Sequence, residues 1–270
     1  MHKQNLHTHT TYCDGFHTPE ALLAAAVEKG FDSLGFSGHS YMHFAPNYSM
    51  SMIGTNDYIA HINKLKKESP IPIYLGLEFD RYSPVDFAPY DYIIGSVHNL
   101  IVNGEYVTFD RNAIVVKELL ATYFQGDGLA LAKAYYQTLA TLPACGKIDI
   151  IGHFDIICKH AEHTCFFDRE CKAYKGFVLE AVDALAGKIP FFEVNTGAMA
   201  RGLRTTPYPD TFAVKALRQA GFGAVISSDC HDAAKLDFGF ADAKKLLAAC
   251  GFTEYYVRME SGFTAVPLLI

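Results

Sequence analysis

Seven short apolar runs alternate with amphipathic segments along the 270-residue chain, and this alternation is the strongest restriction on its fold. The runs, taken as candidate strands, cover residues 4–9, 33–39, 71–78, 91–98, 148–153, 191–196 and 224–229. They are apolar nearly throughout, which is typical of parallel strands whose two faces are both covered. Helices cover the faces of such sheets, so the sequence predicts an α/β fold.

Candidate helices lie between the runs. Apolar residues recur at three- and four-residue spacing in residues 18–29, 58–68, 112–124, 129–142, 168–186, 211–220 and 241–250. The first helix has Thr18 as its N-cap, Pro19 at the first helical position and Gly30 just past its end. Seven strand–helix units of about 39 residues each are close to what a βα barrel requires. We therefore predict one domain folded as a barrel, with an open doubly wound sheet as the alternative.

Side chains that bind metal ions stand at the C-terminal ends of these candidate strands. His7 and His9 form an H-x-H pattern, whose two imidazoles lie on one face of a strand. Later strand ends supply His39, Glu78, His98, His153, Asp229 and His231. Two long loops add Asp14, His17, Arg201 and Arg204. Because parallel strands of a barrel end at one mouth, we expect these groups to converge there.

The types of ligand indicate which ions are bound. Imidazoles and carboxylates without thiolates suit Zn²⁺, Mn²⁺ or Fe²⁺. The candidates outnumber the ligands of one tetrahedral site, which predicts two or three clustered ions with Glu78 as a bridging carboxylate. Such ions activate water and neutralise phosphoryl oxygens, the two needs of phosphate ester hydrolysis. One histidine at a strand end is usually structural, but repetition on successive strands favours a metal centre.

Composition excludes several other classes of protein. The formal charge is −6, whereas proteins that bind nucleic acid usually present a positive surface. No apolar run reaches the roughly 18 residues of a membrane span, and the first residues lack the apolar stretch of a signal peptide. Seven cysteines without a C-x-x-C pair argue against a disulfide framework. We expect a cytoplasmic protein that acts on a small molecule and binds neither nucleic acid nor membranes.

Short motifs occur at the strand ends in a fixed order. They read HTHT at 7–10, CDG at 13–15, GH at 38–39, GLE at 76–78, SVH at 96–98, GH at 152–153 and SDCH at 228–231. In this order, over nearly the whole chain, they resemble the PHP (polymerase and histidinol phosphatase) superfamily. His17 and the segments 90–98, 135–136, 193–196 and 207–209 resemble its monofunctional histidinol-phosphatase branch. The resemblance implies a single PHP-type domain, residues 1–270, folded as a distorted seven-stranded (β/α)7 barrel similar to a TIM barrel.

The resemblance also implies a trinuclear metal centre at the C-terminal mouth of the strands. The first ion would be held by His7, His9, Glu78 and Asp229. The second would share Glu78 and add His98 and His153. The third would be held by Asp14, His39 and His231.

Phosphate-binding groups are implied in three loops. His17 matches a histidine that follows the first motif, and Arg201 matches an arginine after the sixth strand better than Arg204 does. Lys159 and His160 stand after the fifth strand, where the family carries an arginine. Lys159 can supply the charge there without bidentate geometry.

The implied reaction is the hydrolysis of L-histidinol phosphate, a step of histidine biosynthesis. A hydroxide bridging the first two ions, which share Glu78, would attack phosphorus in line with the departing alkoxide. The metals and the basic residues would stabilise charge on the phosphoryl oxygens. Asp229 or a neighbouring histidine such as His231 would donate a proton to the leaving oxygen.

The rest of the substrate is less defined by sequence. Its amine needs a carboxylate, and Asp80, Glu105 and Asp155 are the candidates. Residues 41–56 form either an apolar wall or a lid that packs only on the protein. A turn at residues 103–106 is predicted to start a hairpin that covers the mouth.

Three alternatives to this function remain open. A phosphodiesterase or exonuclease of the same superfamily would share the ligands, but the sequence shows no basic groove. A hydrolase of C–N bonds would share the H-x-H pattern but usually needs a bridging lysine where His98 stands. A non-enzymatic metal-binding protein would not need the basic residues beside the ligands.

Overall fold

The computed structural model describes residues 2–270, and Met1, the first residue of the predicted domain, lies outside the described residues. The strands are β1 (Gln4–Asn5), β2 (Ser33–Phe36), β3 (Ile73–Asp80), β4 (Tyr92–Ser96), β5 (Asn99–Val102), β6 (Glu105–Thr108), β7 (Ile150–Ile151), β8 (Phe191–Asn195), β9 (Gly223–Ser227), β10 (Glu254–Met259) and β11 (Gly262–Pro267). The helices are α1 (Pro19–Glu28), α2 (Met52–Glu68), α3 (Ala113–Tyr123), α4 (Gly128–Leu139), α5 (Lys172–Leu185), α6 (Gly197–Ala200), α7 (Thr211–Gln219) and α8 (Phe240–Ala249).

Seven parallel strands form a nearly closed barrel in the order β1-β2-β3-β4-β7-β8-β9. A parallel bridge between Thr8 and Cys230 joins its two edges, with the His9 N–H donating to the Cys230 carbonyl at 2.8 Å. The predicted seven-stranded barrel is therefore confirmed, and the open sheet is wrong. The barrel is distorted because β1 and β7 are two residues long and no helix separates β3 from β4.

The interior of the barrel has two halves. The half at the N-terminal ends of the strands is filled by an apolar plug, which consists of Leu6, Tyr74, Tyr92, Ile94, Ile150 and Val225. Tyr92 fits there because β3 carries glycine beside it; a Cβ on Gly76 would lie 2.1 Å from the Tyr92 ring. The Tyr92 hydroxyl donates to the Leu6 carbonyl, which satisfies its buried polar atom. The outward residues of the strands pack against the helices in a second, larger core.

Two predicted helices illustrate how caps set the boundaries. Helix α1 follows its N-cap Thr18, whose Oγ1 accepts from the Ala21 N–H at 3.3 Å, as predicted. Helix α2 begins at Met52 rather than near residue 58, because the Ser51 hydroxyl caps it by accepting from the Gly54 N–H at 2.9 Å. The first turn of α2 lacks the apolar spacing that marks the rest of the helix, so periodicity alone placed the start too late.

Two hairpins stand apart from the barrel sheet. Strands β5 and β6 pair antiparallel through a turn in which Asn103 (φ 53°) and Gly104 (φ 85°) have left-handed backbones, which confirms the predicted hairpin. Strands β10 and β11 form a second hairpin that the sequence analysis missed. It packs its aromatic residues Tyr256 and Phe263 against Phe191 at the plugged end. Among residues 2–270, no helix is both long and apolar enough to cross a membrane.

Candidate metal centre and substrate cavity

A cavity of about 710 Å³ opens at the C-terminal ends of the barrel strands. Seven of the nine predicted metal ligands line it, namely Asp14, His39, Glu78, His98, His153, Asp229 and His231. The other two, His7 and His9, are fully buried beneath its floor. The structure thus brings all nine side chains to one end of the barrel.

Glu78 lies at the centre of these side chains. Its backbone is fixed by a parallel bridge to His39 beyond the end of β2. Five ring nitrogens surround the carboxylate at 2.8 to 3.5 Å, from His39, His7, His9, His153 and His98. The first three face Oε2 and the last two face Oε1. A carboxylate whose two oxygens face separate groups of imidazoles is placed to bridge two ions.

The H-x-H pair behaves as predicted. Nε2 of His7 and Nε2 of His9 lie 3.6 and 3.1 Å from Oδ1 of Asp229, so both imidazoles share one face. Within the described part of the chain, both nitrogens are buried and lack a hydrogen-bond partner. Asp229 reaches them from a left-handed backbone (φ 47°), a conformation often kept at functional sites.

Asp14 lies close to three of the imidazoles. Its Oδ2 lies 3.3 Å from Nε2 of His231, and its Oδ1 lies 3.5 Å from Nδ1 of His9 and 3.7 Å from Nε2 of His39. The loop reaches this position because Gly15 packs against the backbone of His9, where a Cβ would lie 2.4 Å from the carbonyl. His9 therefore faces a carboxylate with each of its ring nitrogens.

The charges of the centre favour cations. Burial opposes ionisation, but His39, His7 and His98 hold the pKa of Glu78 well below its usual value. Burial likewise opposes ionisation of Asp229, and Arg201 and His7 keep its pKa well below its usual value. Burial, together with His231 and His39, lowers the pKa of His9 to about 3, so this imidazole is neutral and free to bind a metal.

Two further carboxylates orient the ligands from behind. Glu193 Oε2 lies 2.9 Å from Nδ1 of His7, which turns Nε2 of that ring towards Glu78 and Asp229. Asp80 Oδ2 lies 3.3 Å from Nδ1 of His98 and accepts from the His98 N–H at 3.1 Å. Such partners fix the tautomer of metal-binding histidines. Sequence analysis missed the role of Glu193, although a lone glutamate inside an apolar strand was the sign of it.

The donor set fits divalent metal ions. Three groups could each hold an ion, and they comprise His7, His9 and Asp229; His39, Glu78 and His98; and His9, Asp14, His39 and His231. Buried polar atoms are normally hydrogen-bonded, and here unpartnered nitrogens and oxygens face one another at the centre. Zn²⁺, Mn²⁺ or Fe²⁺ would satisfy them.

Two of the predicted phosphate-binding residues line the cavity. Arg201 donates from Nη2 to Asp229 Oδ2 at 3.1 Å and lies 3.4 Å from Nδ1 of His231. Lys159 enters from the segment after β7, where its Nζ lies 3.4 Å from Asp110 Oδ2. Both cations therefore lie beside the ligand cluster.

The other three predicted phosphate-binding residues are not among the cavity-lining side chains. Arg204 is buried, donates to the carbonyls of Thr206 and Cys158, and stacks on Tyr208. His17 lies at the rim, where its Nδ1 accepts from the Ala233 N–H. His160 is buried behind Lys159. The structure thus favours Arg201 over Arg204 as the phosphate-binding residue. Arg201 lines the cavity, whereas the guanidinium of Arg204 is used to hold neighbouring backbone carbonyls.

None of the carboxylates proposed for a substrate amine lines the cavity. Asp80 is occupied by His98, and Asp155 is fully buried and accepts from the Asp210 N–H. Glu105 is exposed on the hairpin, where it accepts from the Tyr123 hydroxyl. The cavity instead contains Asp110, which sequence analysis missed because only the fold brings it beside Lys159.

An aromatic wall closes one side of the cavity. Phe44, from the loop after β2, stacks on Tyr106 of β6 with ring centroids 3.8 Å apart. Both line the cavity, so the loop after β2 forms a wall of the cavity, one of the two alternatives for it, and the predicted hairpin covers the mouth. Met42 and Met50 of the same loop are buried in the protein and Met52 is exposed on α2, so these three residues are not part of that wall.

The chain is similar to two proteins over most of its length. A Deinococcus radiodurans protein named "Probable histidinol-phosphatase" is 29% identical over 259 residues, covering 91% of this chain and 92% of that protein. The histidinol-phosphatase of Lactococcus lactis is 22% identical, and the alignment covers 94% of this chain and 93% of that protein. A crystal structure of the Lactococcus lactis enzyme, complexed with zinc, L-histidinol and phosphate, superposes with a TM-score of 0.72 at 20% identity. That superposition covers 97% of this chain and 98% of the other.

A family model agrees with this similarity. The PHP domain model matches residues 5–197, which is more than half of the chain. The matched region contains the ligands from His7 to His153, whereas Asp229 and His231 follow it. On this match, and with the barrel and its ligand cluster in place, the chain belongs to the PHP domain family.

Proposed function

We propose that this chain is a metal-dependent phosphatase that hydrolyses L-histidinol phosphate to L-histidinol and phosphate. The observation that carries the proposal is one cavity in which a multi-metal ligand set lies beside Arg201 and Lys159. Two relatives that match more than nine-tenths of the chain bear the name histidinol-phosphatase, which supports this substrate. The zinc, L-histidinol and phosphate bound by the Lactococcus lactis structure support it further.

Two or three divalent ions are the proposed cofactors. His7, His9 and Asp229 would hold one, His98 and His153 a second, and Asp14, His39 and His231 a third, with Glu78 shared between the first two. When bound, such ions lower the pKa of water and neutralise charge on phosphoryl oxygens.

The chain's own basic residues bind and orient the phosphate. Arg201 presents a planar guanidinium that suits two phosphoryl oxygens, and Lys159 contributes a point charge. Both charges lie where negative charge develops during the transfer, so they stabilise the transition state.

Asp229 is the proposed proton carrier. Its Oδ2 accepts from Arg201 Nη2 at 3.1 Å, so the carboxylate lies beside the proposed phosphate-binding guanidinium. It can take the proton of the attacking water and return it to the departing alkoxide, which balances the reaction. We also propose that residues 1–270 form one catalytic domain that acts in the cytoplasm on this small molecule.

Phosphate release from L-histidinol phosphate tests the proposal. Protein saturated with Zn²⁺ or Mn²⁺ is assayed on this ester, on a panel of other phosphomonoesters and on a dinucleotide. We expect kcat/KM above about 10⁴ M⁻¹s⁻¹ on L-histidinol phosphate, well ahead of the panel. A clear preference for another ester or for the dinucleotide would overturn the substrate, and metal binding without any turnover would indicate a non-enzymatic protein.

A further inference from the structure

An ion pair lies inside the cavity, beside the metal centre. Lys159 Nζ and Asp110 Oδ2 are 3.4 Å apart, and the two side chains are 14% and 19% exposed. Hydrogen bonds between a charged donor and acceptor are usually about 2.7–2.9 Å long. The pair is therefore loose, and each partner keeps hydrogen-bonding capacity that faces the cavity.

Asp110 is fixed close to the second group of ligands. Thr108 Oγ1 lies 3.2 Å from Asp110 Oδ1 and 3.4 Å from the carbonyl of His98, which ties the carboxylate to the end of β4. Burial opposes its ionisation, but Lys159, His98 and His153 lower the pKa of Asp110 to about 2. The group thus carries a full negative charge near neutral pH.

The other carboxylates that line the cavity have different partners. Asp14, Glu78 and Asp229 face the imidazoles of the centre. Asp232 accepts from the Ala234 N–H through Oδ1 and so caps the short helical turn at residues 233–235. Asp229 also pairs with Arg201, so among the cavity-lining residues of the described chain Asp110 is the carboxylate that pairs with a cation without also contacting an imidazole of the centre.

A substrate with a cation next to its phosphate ester would complement this pair. We propose that Asp110 binds the ammonium group of substrates that carry an amine on the carbon adjacent to the ester carbon, while Lys159 binds the phosphoryl group. The inference rests on the proposed phosphatase function and names the substrate class, the phosphates of vicinal amino alcohols, to which L-histidinol phosphate belongs. Such a substrate replaces one ion pair with two, so no buried charge loses its partner.

The same carboxylate rejects esters that lack the amine. A phosphate that draws Lys159 away without offering a cation would leave Asp110 facing two negative charges in a partly desolvated cavity. Specificity then comes from this repulsion as well as from the new contact. Hydrogen bonds to charged groups contribute enough for a preference of about 10- to 100-fold in kcat/KM.

Matched pairs of esters test this inference. One pair is L-histidinol phosphate and 3-(imidazol-4-yl)propyl phosphate, and the other is O-phosphoethanolamine and ethyl phosphate. In the zinc-loaded wild-type enzyme we expect the amine-bearing member of each pair to be preferred about 10- to 100-fold. Asp110→Asn should abolish the preference by slowing the amine-bearing esters, while turnover of their partners is kept or raised.

Two variants serve as controls. Glu105→Gln removes an exposed carboxylate at the start of β6, five residues before Asp110, and should leave the preference unchanged. Lys159→Met should slow both members of each pair, because the phosphoryl contact is common to them. Retained turnover of the esters without an amine shows that the Asp110→Asn protein is folded and loaded with metal.

The outcomes separate this inference from the proposed function. If Asp110→Asn slows both members of a pair equally, or abolishes all activity, Asp110 only positions Lys159 and the inference is wrong. A wild-type enzyme without preference for amine-bearing esters would also overturn it, while leaving phosphatase activity intact. If O-phosphoethanolamine is preferred over ethyl phosphate but L-histidinol phosphate is a poor substrate, the proposed substrate fails and the inference stands.

Discussion

The two halves of the barrel interior are filled by the same strands with opposite chemistry. Strand β3 contributes Tyr74 to the apolar plug and, four residues later, Glu78 to the metal centre. Likewise, Tyr92 at the start of β4 belongs to the plug, and His98, two residues past the end of β4, belongs to the centre. The plug is stabilised by close packing, whereas the centre consists of buried charges that must be compensated by one another or by ions.

This difference separates stability from function along a single strand. The plug holds the strands at their N-terminal ends without contact with the cavity. The centre then presents its ligands from a frame that is already rigid, which is what a preorganised site needs. Substitutions in the two halves should therefore have different consequences, and the following experiments test that separation.

The largest effect is expected for Glu78→Gln. This change removes the charge that faces five imidazoles, so bound metal and turnover should both fall, the latter by orders of magnitude. Metal content and kcat on L-histidinol phosphate are measured beside Glu180→Gln, an exposed glutamate of α5. Turnover close to that of the wild type would show that Glu78 does not bridge the ions.

Ile150→Ala should lower the stability of the protein and leave its turnover nearly unchanged, the opposite of what is expected for Glu78→Gln. Ile150 is fully buried in the plug, and truncating such a side chain typically costs about 2–5 kcal/mol of unfolding free energy. The folded variant should keep most of its turnover, because the cavity is unchanged. Urea unfolding is compared with Ile114→Ala, which alters an exposed residue of α3 and should change stability by less than about 0.5 kcal/mol. A loss of turnover as large as that of Glu78→Gln would mean that the two halves are not separable.

The smallest expected effect is on the pH dependence of the metal-free protein. Burial opposes protonation, but the neighbouring carboxylates raise the pKa of His7, His39 and His98 above 6.5. Stability from a raised pKa is fully present below the unfolded value of 6.5 and is lost as pH rises through the folded value. His9, with a pKa lowered to about 3, acts in the opposite direction only below pH 6.5.

We therefore expect metal-free protein to lose unfolding free energy as pH rises from 6.5 to 8.5. Zinc-saturated protein should not show this loss, since ions replace the protons and metal binding strengthens as pH rises. Urea midpoints of chelator-treated and zinc-saturated samples measure both trends. A metal-free protein that gains stability over this range would contradict the charge balance proposed for the centre.

Much of the barrel follows from short-range sequence patterns. Each of these patterns acts within a few residues, so local sequence specifies each element. Examples are the apolar runs, the caps at Thr18 and Ser51, and the Asn103-Gly104 turn. Convergence of the strand ends then follows from parallel closure, which is why the sequence predicts that nine candidate ligands meet at one end of the barrel. The late start assigned to α2 and the overlooked β10–β11 hairpin show that periodicity marks elements better than their ends.

Sequence by itself therefore predicted the barrel, the gathering of nine candidate ligand side chains at one end of it, and the need for more than one ion. Only the tertiary structure decided which polar groups serve the site from a distance. Glu193 reaches His7 across 186 residues, and Asp110 reaches Lys159 across 49. The tertiary structure also placed Arg201 in the cavity and buried Arg204 against the Cys158 carbonyl, although the two arginines are three residues apart. The physical reason is that loop conformations and inter-loop contacts have no local periodicity, and are set only when the strands bring the loops together.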